Sequence, residues 1–165
     1  MKVKLSDADS HAATVLAQDV VRMKELQKIP TKEMNLSRID SNVLGFMAEF
    51  AVARVLGCEP PRLTFVNDGG IDLWVDDVSI DVKVSKEPTG NLIFDDTEKF
   101  RAKVAVFVSS LGDNQFQIHG WISRQAFINS CNYRDFGYGE RVFVSCDKLN
   151  SMGSLWEKIT ERKMS

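Results

Sequence analysis

The stretch GGIDLWVDDVSIDVKVS, Gly69 to Ser85, decides how this chain is read. Apolar and polar residues alternate on either side of Asp76-Asp77, the pattern of two strands joined by a tight turn. With that pair as the turn, Val75 faces Val78, Leu73 meets Ile80 and Ile71 meets Val82, so the apolar side chains of both strands share one face. A slip of one residue would set apolar side chains against polar ones, which favours this register. The other face carries Gly70, Asp72 and Trp74 on the first strand and Ser79, Asp81, Lys83 and Ser85 on the second. Asp72 is thereby expected opposite Asp81.

Opposed side chains in an antiparallel pair have Cβ atoms roughly 4.5–5.5 Å apart, and like charges at that spacing are destabilising. Three arrangements offset the repulsion: one carboxylate keeps its proton, a basic side chain sits between them, or a divalent cation binds both. Lys83 projects from the same face two residues beyond Asp81, so the second and third are both open. The plain alternative is a solvated polar face with weak surface pairs.

The chain of 165 residues, 44% hydrophobic and 27% charged, suits one globular domain with room for a core. Apolar runs such as VAVFV, Val104 to Val108, fall far short of the roughly 20 residues a bilayer span requires. The opening segment lacks a signal-peptide core because Gln18 and Asp19 interrupt its apolar run, so a cytoplasmic, soluble protein is expected. Cys58, Cys131 and Cys146 are odd in number and widely spaced, which suggests reduced thiols and neither a disulfide framework nor a zinc site. A net charge of −2 gives no global support for nucleic-acid binding. Basic residues do gather locally, with Lys83, Lys86, Lys99, Arg101 and Lys103 around the hairpin and Arg124, Arg134 and Arg141 further on.

Ser6, Asp7 and Asp9 read as a helix start, and apolar spacing carries that helix over about residues 7–28 to Pro30. TKEMNLSRIDS reads as a polar connector, followed by a second helix from about Ser41 or Asn42 to Gly57. Further strands are expected at RLTFV, KVAVFVSS, FQIHGWIS and RVFVS, with short helices near Asp96 to Arg101 and at RQAFIN, and a helical tail from Ser154 to Lys163. His11 and His119 are read as surface or hydrogen-bonded residues, and Trp74, Phe116 and Trp121 as core aromatics.

The second helix contains only two charged residues, Glu49 and Arg54, over VLGFMAEFAVARVLG. Glu49 has Gly45, Phe46, Val52 and Ala53 three and four positions away, so it projects from a largely apolar surface. A carboxylate there is costly to bury unless something positive meets it. Either a nearby Lys or Arg pairs with it at the core edge, or it converges on the hairpin's acidic face.

Together, Glu49 in GFMAE, Asp72 in GGID, and Asp81 and Lys83 in DVK resemble the PD-(D/E)XK nuclease superfamily in order, spacing and element type. The resemblance covers about residues 43–109, and the later GWI strand is similar to many phage and bacterial members. Ile71 stands where the family name has Pro, and no Gln-Tyr helix motif is present.

The resemblance implies an α/β, restriction-endonuclease-like core: helix, three-stranded antiparallel meander, helix and strand, with a mixed central sheet flanked by helices. Residues 1–165 would then form one nuclease domain, with a helical extension over 1–40, a catalytic core over 41–110, and C-terminal strands and a helix over 111–165. It further implies that Asp72, Asp81 and the backbone carbonyl of Val82 hold Mg²⁺ or Mn²⁺, that Lys83 orients or deprotonates the attacking water, and that Glu49 positions Lys83 or a bound water. The expected activity is metal-dependent phosphodiester hydrolysis by an endonuclease acting on DNA, with Lys86, Lys99, Arg101, Lys103 and Arg124 as nucleic-acid contacts. Cutting both strands would usually require two such sites, hence a homodimer, and no membrane is involved. The alternative is a non-catalytic nucleic-acid-binding or protein-interaction module on the same fold.

Overall fold

The structure, a computed structural model, describes residues 1–26, 36–62 and 70–164. In chain order these form β1 (Lys2–Lys4), α1 (Asp7–Leu26), α2 (Leu36–Leu56), β2 (Leu73–Val75), β3 (Val78–Ser85), β4 (Asn91–Phe94), β5 (Val104–Gly112), β6 (Gln115–Ser123), α3 (Arg124–Ser130), β7 (Asn132–Asp135), β8 (Glu140–Ser145) and α4 (Met152–Met164). The fold is α/β. A five-stranded mixed sheet runs β1-β6-β5-β3-β2, and a three-stranded antiparallel sheet runs β4-β8-β7.

The hairpin register follows the alternation of its residues: Leu73 pairs with Ile80, Trp74 with Ser79 and Val75 with Val78. β3 then pairs in parallel with β5, Ile80 opposite Val104 and Lys83 opposite Phe107. Parallel neighbours need a crossover connection. Here it contains β4 and a 3₁₀ turn at Thr97–Lys99, whose two amides at Glu98 and Lys99 are capped by Asp96. The short helix expected near Asp96 to Arg101 is that turn. The strand expected at RLTFV lies, apart from Arg62, outside the described residues.

Two apolar clusters lie on opposite faces of the larger sheet. Leu73, Val75, Val78, Ile80 and Val82 of the hairpin join Val104, Val106 and Val108 of β5 under residues of α1, α2 and α4. The intervening Ala105 and Phe107 face a second cluster with Leu92, Phe94, Phe100 and Phe127. Within it the Phe94 and Phe100 rings stack at 4.6 Å, and Phe127 meets both edge-on. This period-two partition is the signature of a sheet covered on both sides.

Several expectations are corrected. α2 begins at Leu36 and not near Ser41, because Leu36, Ile39, Val43, Phe46 and Phe50 continue the helical spacing upstream into the supposed connector. β1 pairs with β6, and Leu5, Ala13 and Leu16 are core residues, so the N-terminal segment is built into the sheet and core. Trp74 is 56% exposed, whereas Phe116 and Trp121 are buried as expected. The three cysteines are free and half-buried. No helix among the described residues is long and apolar enough to cross a membrane.

Candidate functional site

The hairpin ladder ends at Leu73, and the local geometry changes at the next residue. Asp72 donates its amide to the Ile80 carbonyl at 2.8 Å, and its Oδ2 accepts the Val82 amide at 2.7 Å. A side chain thus takes the place of the main chain along this stretch of β3. The expected pairing of Asp72 with Asp81 and of Ile71 with Val82 is not part of the ladder. Ile71 accordingly leaves the hairpin's apolar face and packs against the second cluster.

Asp81, only 1% exposed, lies on the face turned toward that second cluster. Lys83 Nζ stands 2.8 Å from its Oδ1 and 3.1 Å from its Oδ2. The same ammonium lies 4.9 Å from the centroid of the Phe94 ring, a cation–π contact that sequence reasoning missed. β4 belongs to the other sheet, and no spacing in the sequence relates Phe94 to Lys83. Of the three ways to offset two neighbouring aspartates, the structure displays the basic side chain on Asp81, while Asp72 is held by a backbone amide.

Glu49 and Asp72 line one cavity of about 700 Å³, with Phe46, Asn42, Ile71 and Trp74 among its walls. Glu49 is half-buried. Among the described residues, a Cβ at Gly45 would meet nothing within 4 Å, so no close approach of a described segment explains that glycine one turn from Glu49. The four residues of the expected site are therefore linked in sequence through space: Glu49 shares a cavity with Asp72, Asp72 holds the Val82 amide, and Val82 separates Asp81 from its partner Lys83.

The donor set suits a hard cation. Asp72 and Asp81 offer carboxylate oxygens, and the Val82 carbonyl faces the same edge as its N–H, because both groups of one strand residue point the same way. Among the described residues there is no group of three or more His, Cys, Asp or Glu side chains placed to hold an ion. An ion such as Mg²⁺ needs only one or two carboxylates because it keeps several waters.

Of the expected nucleic-acid contacts, Arg101, Lys103 and Arg124 line a second cavity, where the larger sheet meets α4. Lys86 and Lys99 are exposed and lie outside that lining. His119 is hydrogen-bonded to Ser109 at 2.7 Å and stacked on Phe107, in keeping with its assignment away from the acidic site.

The fold and site define an α/β protein in which Glu49 and Asp72 line one cavity and the Asp81–Lys83 pair lies on the adjoining strand β3, tied to Asp72 through the Val82 amide. No protein-family model matches the chain, and no curated protein matches it at the significance required of a relative.

Proposed function

We propose that this protein is a metal-dependent nuclease of the PD-(D/E)XK type, hydrolysing phosphodiester bonds in DNA. The observation that carries the reading is the link from Asp72 through the Val82 amide to the Asp81–Lys83 pair. Asp72, Asp81 and the Val82 carbonyl would hold Mg²⁺ or Mn²⁺. The bound ion supplies Lewis-acid polarisation of the phosphate and a lowered pKa for its water.

The chain's own residues divide the remaining work. The Lys83 ammonium is held between a carboxylate and an aromatic face, with its side chain 40% exposed. It can therefore reach a phosphate oxygen and stabilise charge developing there. Glu49, which lines the same cavity as Asp72, would accept a hydrogen bond from the attacking water or orient it. Burial of Asp81 keeps bulk water from its carboxylate and strengthens its pull on any cation beside it.

A second reading has its own support. Asp81 is almost wholly buried with both oxygens on Lys83, an arrangement that also suits a structural ion pair in a non-catalytic binding module. Incubating the protein with single-stranded, duplex and branched DNA and RNA, in Mg²⁺, Mn²⁺ or chelator, separates the two. Metal-dependent cleavage lost in Lys83→Ala supports the nuclease. Binding without turnover in every metal supports the module.

A further inference from the structure

At the end of the sheet where β3 and β5 begin and β6 finishes, α4 stands off to leave the second cavity of about 700 Å³. Its floor is apolar, built from Val78, Val104, Leu155 and Ile159, all members of the larger core cluster. Around it stand Arg101, Lys103, Arg124, Lys158 and Arg162 against one carboxylate, Glu161. Five cations to one acid line the cavity, with Lys103 paired to Asp77 outside the lining, in a chain whose net charge is −2.

Among the described residues, Arg101, Arg124 and Lys158 stand in no ion pair, whereas Lys103 is paired with Asp77. Among the described residues the Arg124 guanidinium donates through its Nε alone, to the Phe100 carbonyl at 2.7 Å. Lys158 lies 5.1 Å from the centroid of the buried Trp121 ring, and that indole is itself fixed by Nε1 donation to the Ser151 carbonyl and the Ser154 hydroxyl, each at 3.0 Å. Lys103 donates to the Asp77 carbonyl at 2.9 Å and stands 3.4 Å from the Asp77 carboxylate. Arg101 is exposed and meets no carboxylate among the described residues.

We infer that this cavity is a binding site for single-stranded nucleic acid, with backbone phosphates on the rim cations and a base against the apolar floor. Guanidinium groups suit phosphate because their paired donors match its oxygens. A positively charged groove tracks the backbone of single strands without sequence preference, most tightly where bases also stack on aromatic side chains; here the lining supplies the cations and an aliphatic floor. A hollow of about 700 Å³ has room for part of one strand within it, whereas a duplex could meet only its rim cations. Asp81 lies three residues into β3 from Val78, about 10 Å of strand, so a strand seated here can continue around the sheet end toward the acidic site. The identity of the ligand rests on the nuclease reading, but the site is tested by binding alone. Lys158 and Arg162 were not singled out by sequence reasoning. Their signal is the four-residue spacing that puts them on one face of α4.

The test is fluorescence anisotropy of a short labelled oligothymidylate in chelator, over a series of salt concentrations. Wild type should bind, with affinity falling as salt rises. The triple variant Arg101→Gln/Lys158→Gln/Arg162→Gln should lower the log–log salt slope by about 2, since each phosphate contact on a single strand contributes roughly 0.7. A control removing three cations elsewhere, Lys2→Gln/Lys4→Gln/Lys148→Gln, should leave the slope nearly unchanged. Equal losses in both variants would overturn the site, as would equally tight binding of a polyglutamate peptide. Should the triple variant fold poorly, the single Lys158→Gln change on the exposed side of α4 should still lower the slope by about 0.7, and no change there overturns the proposal. Cleavage in Mn²⁺ with binding indifferent to these residues would sink this site and leave the nuclease reading standing. Site-dependent binding with no cleavage in any metal would do the reverse.

Discussion

Lys83 Nζ lies 2.8 Å from the Oδ1 of Asp81, a carboxylate with 1% of its side-chain surface exposed. Breaking a buried pair by removing one partner strands the other charge. Because Lys83 itself is 40% exposed and water can partly replace it, the discounted cost of Lys83→Met in chelator is about 1–3 kcal/mol. If Asp72 and Asp81 form a cation site, Mn²⁺ can take over the compensating role, so it should raise the melting temperature of Lys83→Met more than that of wild type. Asp81→Asn should abolish the response. Melting curves of the three proteins with and without Mn²⁺ decide it, and curves unmoved by the ion in all three count against the site.

Gly120 adopts φ +149, and a Cβ there would run into the Asn150 carbonyl oxygen and stand 3.0 Å from the Leu149 Cβ. The backbone approach is needed because Trp121 and Asn150 exchange hydrogen bonds at 2.9 and 2.8 Å. Gly120→Ala should cost about 3 kcal/mol, the upper part of the range for overpacking a tight site. Urea unfolding measures this directly, and a loss below a few tenths of that value would contradict the geometry.

What the sequence made legible follows from where alternation is regular. Leu73, Val75, Val78 and Ile80 specify their pairing because each has a polar neighbour to point the other way. The same rule fails one residue earlier, where the Asp72 carboxylate replaces a ladder bond and Ile71 turns to the second cluster. It fails again in β6, where the register shifts beside Phe107 and leaves His119 as an extra residue between Ile118 and Gly120. β7 gave no signal because all four of its residues are exposed. The expected site residues were legible as chemical types at a spacing, but the Phe94 ring over Lys83 comes from a separate sheet and the basic cleft from three distant segments.

His119 provides a pH test. Burial, with a smaller contribution from the N-terminal ammonium, holds its pKa below the ordinary 6.5. The folded protein therefore binds fewer protons than the unfolded chain between the depressed value and 6.5. In that window stability rises with pH, and it is lost as pH falls from 6.5 through the folded pKa. His119→Gln should flatten this part of the stability profile, read by urea unfolding from neutral to mildly acidic pH. A slope identical to wild type would show that other groups carry it.

Glu49→Gln preserves shape and hydrogen-bonding capacity while removing the charge. Because Glu49 is half-buried beside a cavity shared with Asp72, the nuclease reading expects turnover to fall by about 10²-fold with little change in melting temperature. A large loss of stability with unchanged activity per folded molecule would assign Glu49 to an ion pair at the core edge.

On the nuclease reading Asp72 has two separable tasks, and two substitutions separate them. Its Oδ2 accepts the Val82 amide at 2.7 Å, a bond that an asparagine carbonyl oxygen can also accept. Asp72→Asn should therefore keep most of the stability of the metal-free protein. Asp72→Ala leaves the part-buried Val82 amide without that acceptor, at a cost of about 1–2 kcal/mol. Cation binding depends on the charge that both variants lack, so both should lose any Mn²⁺-induced rise in melting temperature and any metal-dependent cleavage. Denaturation in chelator should thus rank wild type near Asp72→Asn and both above Asp72→Ala, while Mn²⁺ should separate wild type from both variants. If Asp72→Asn retains the full Mn²⁺ response, the Asp72 carboxylate is a strand-edge hydrogen-bond acceptor and not a ligand.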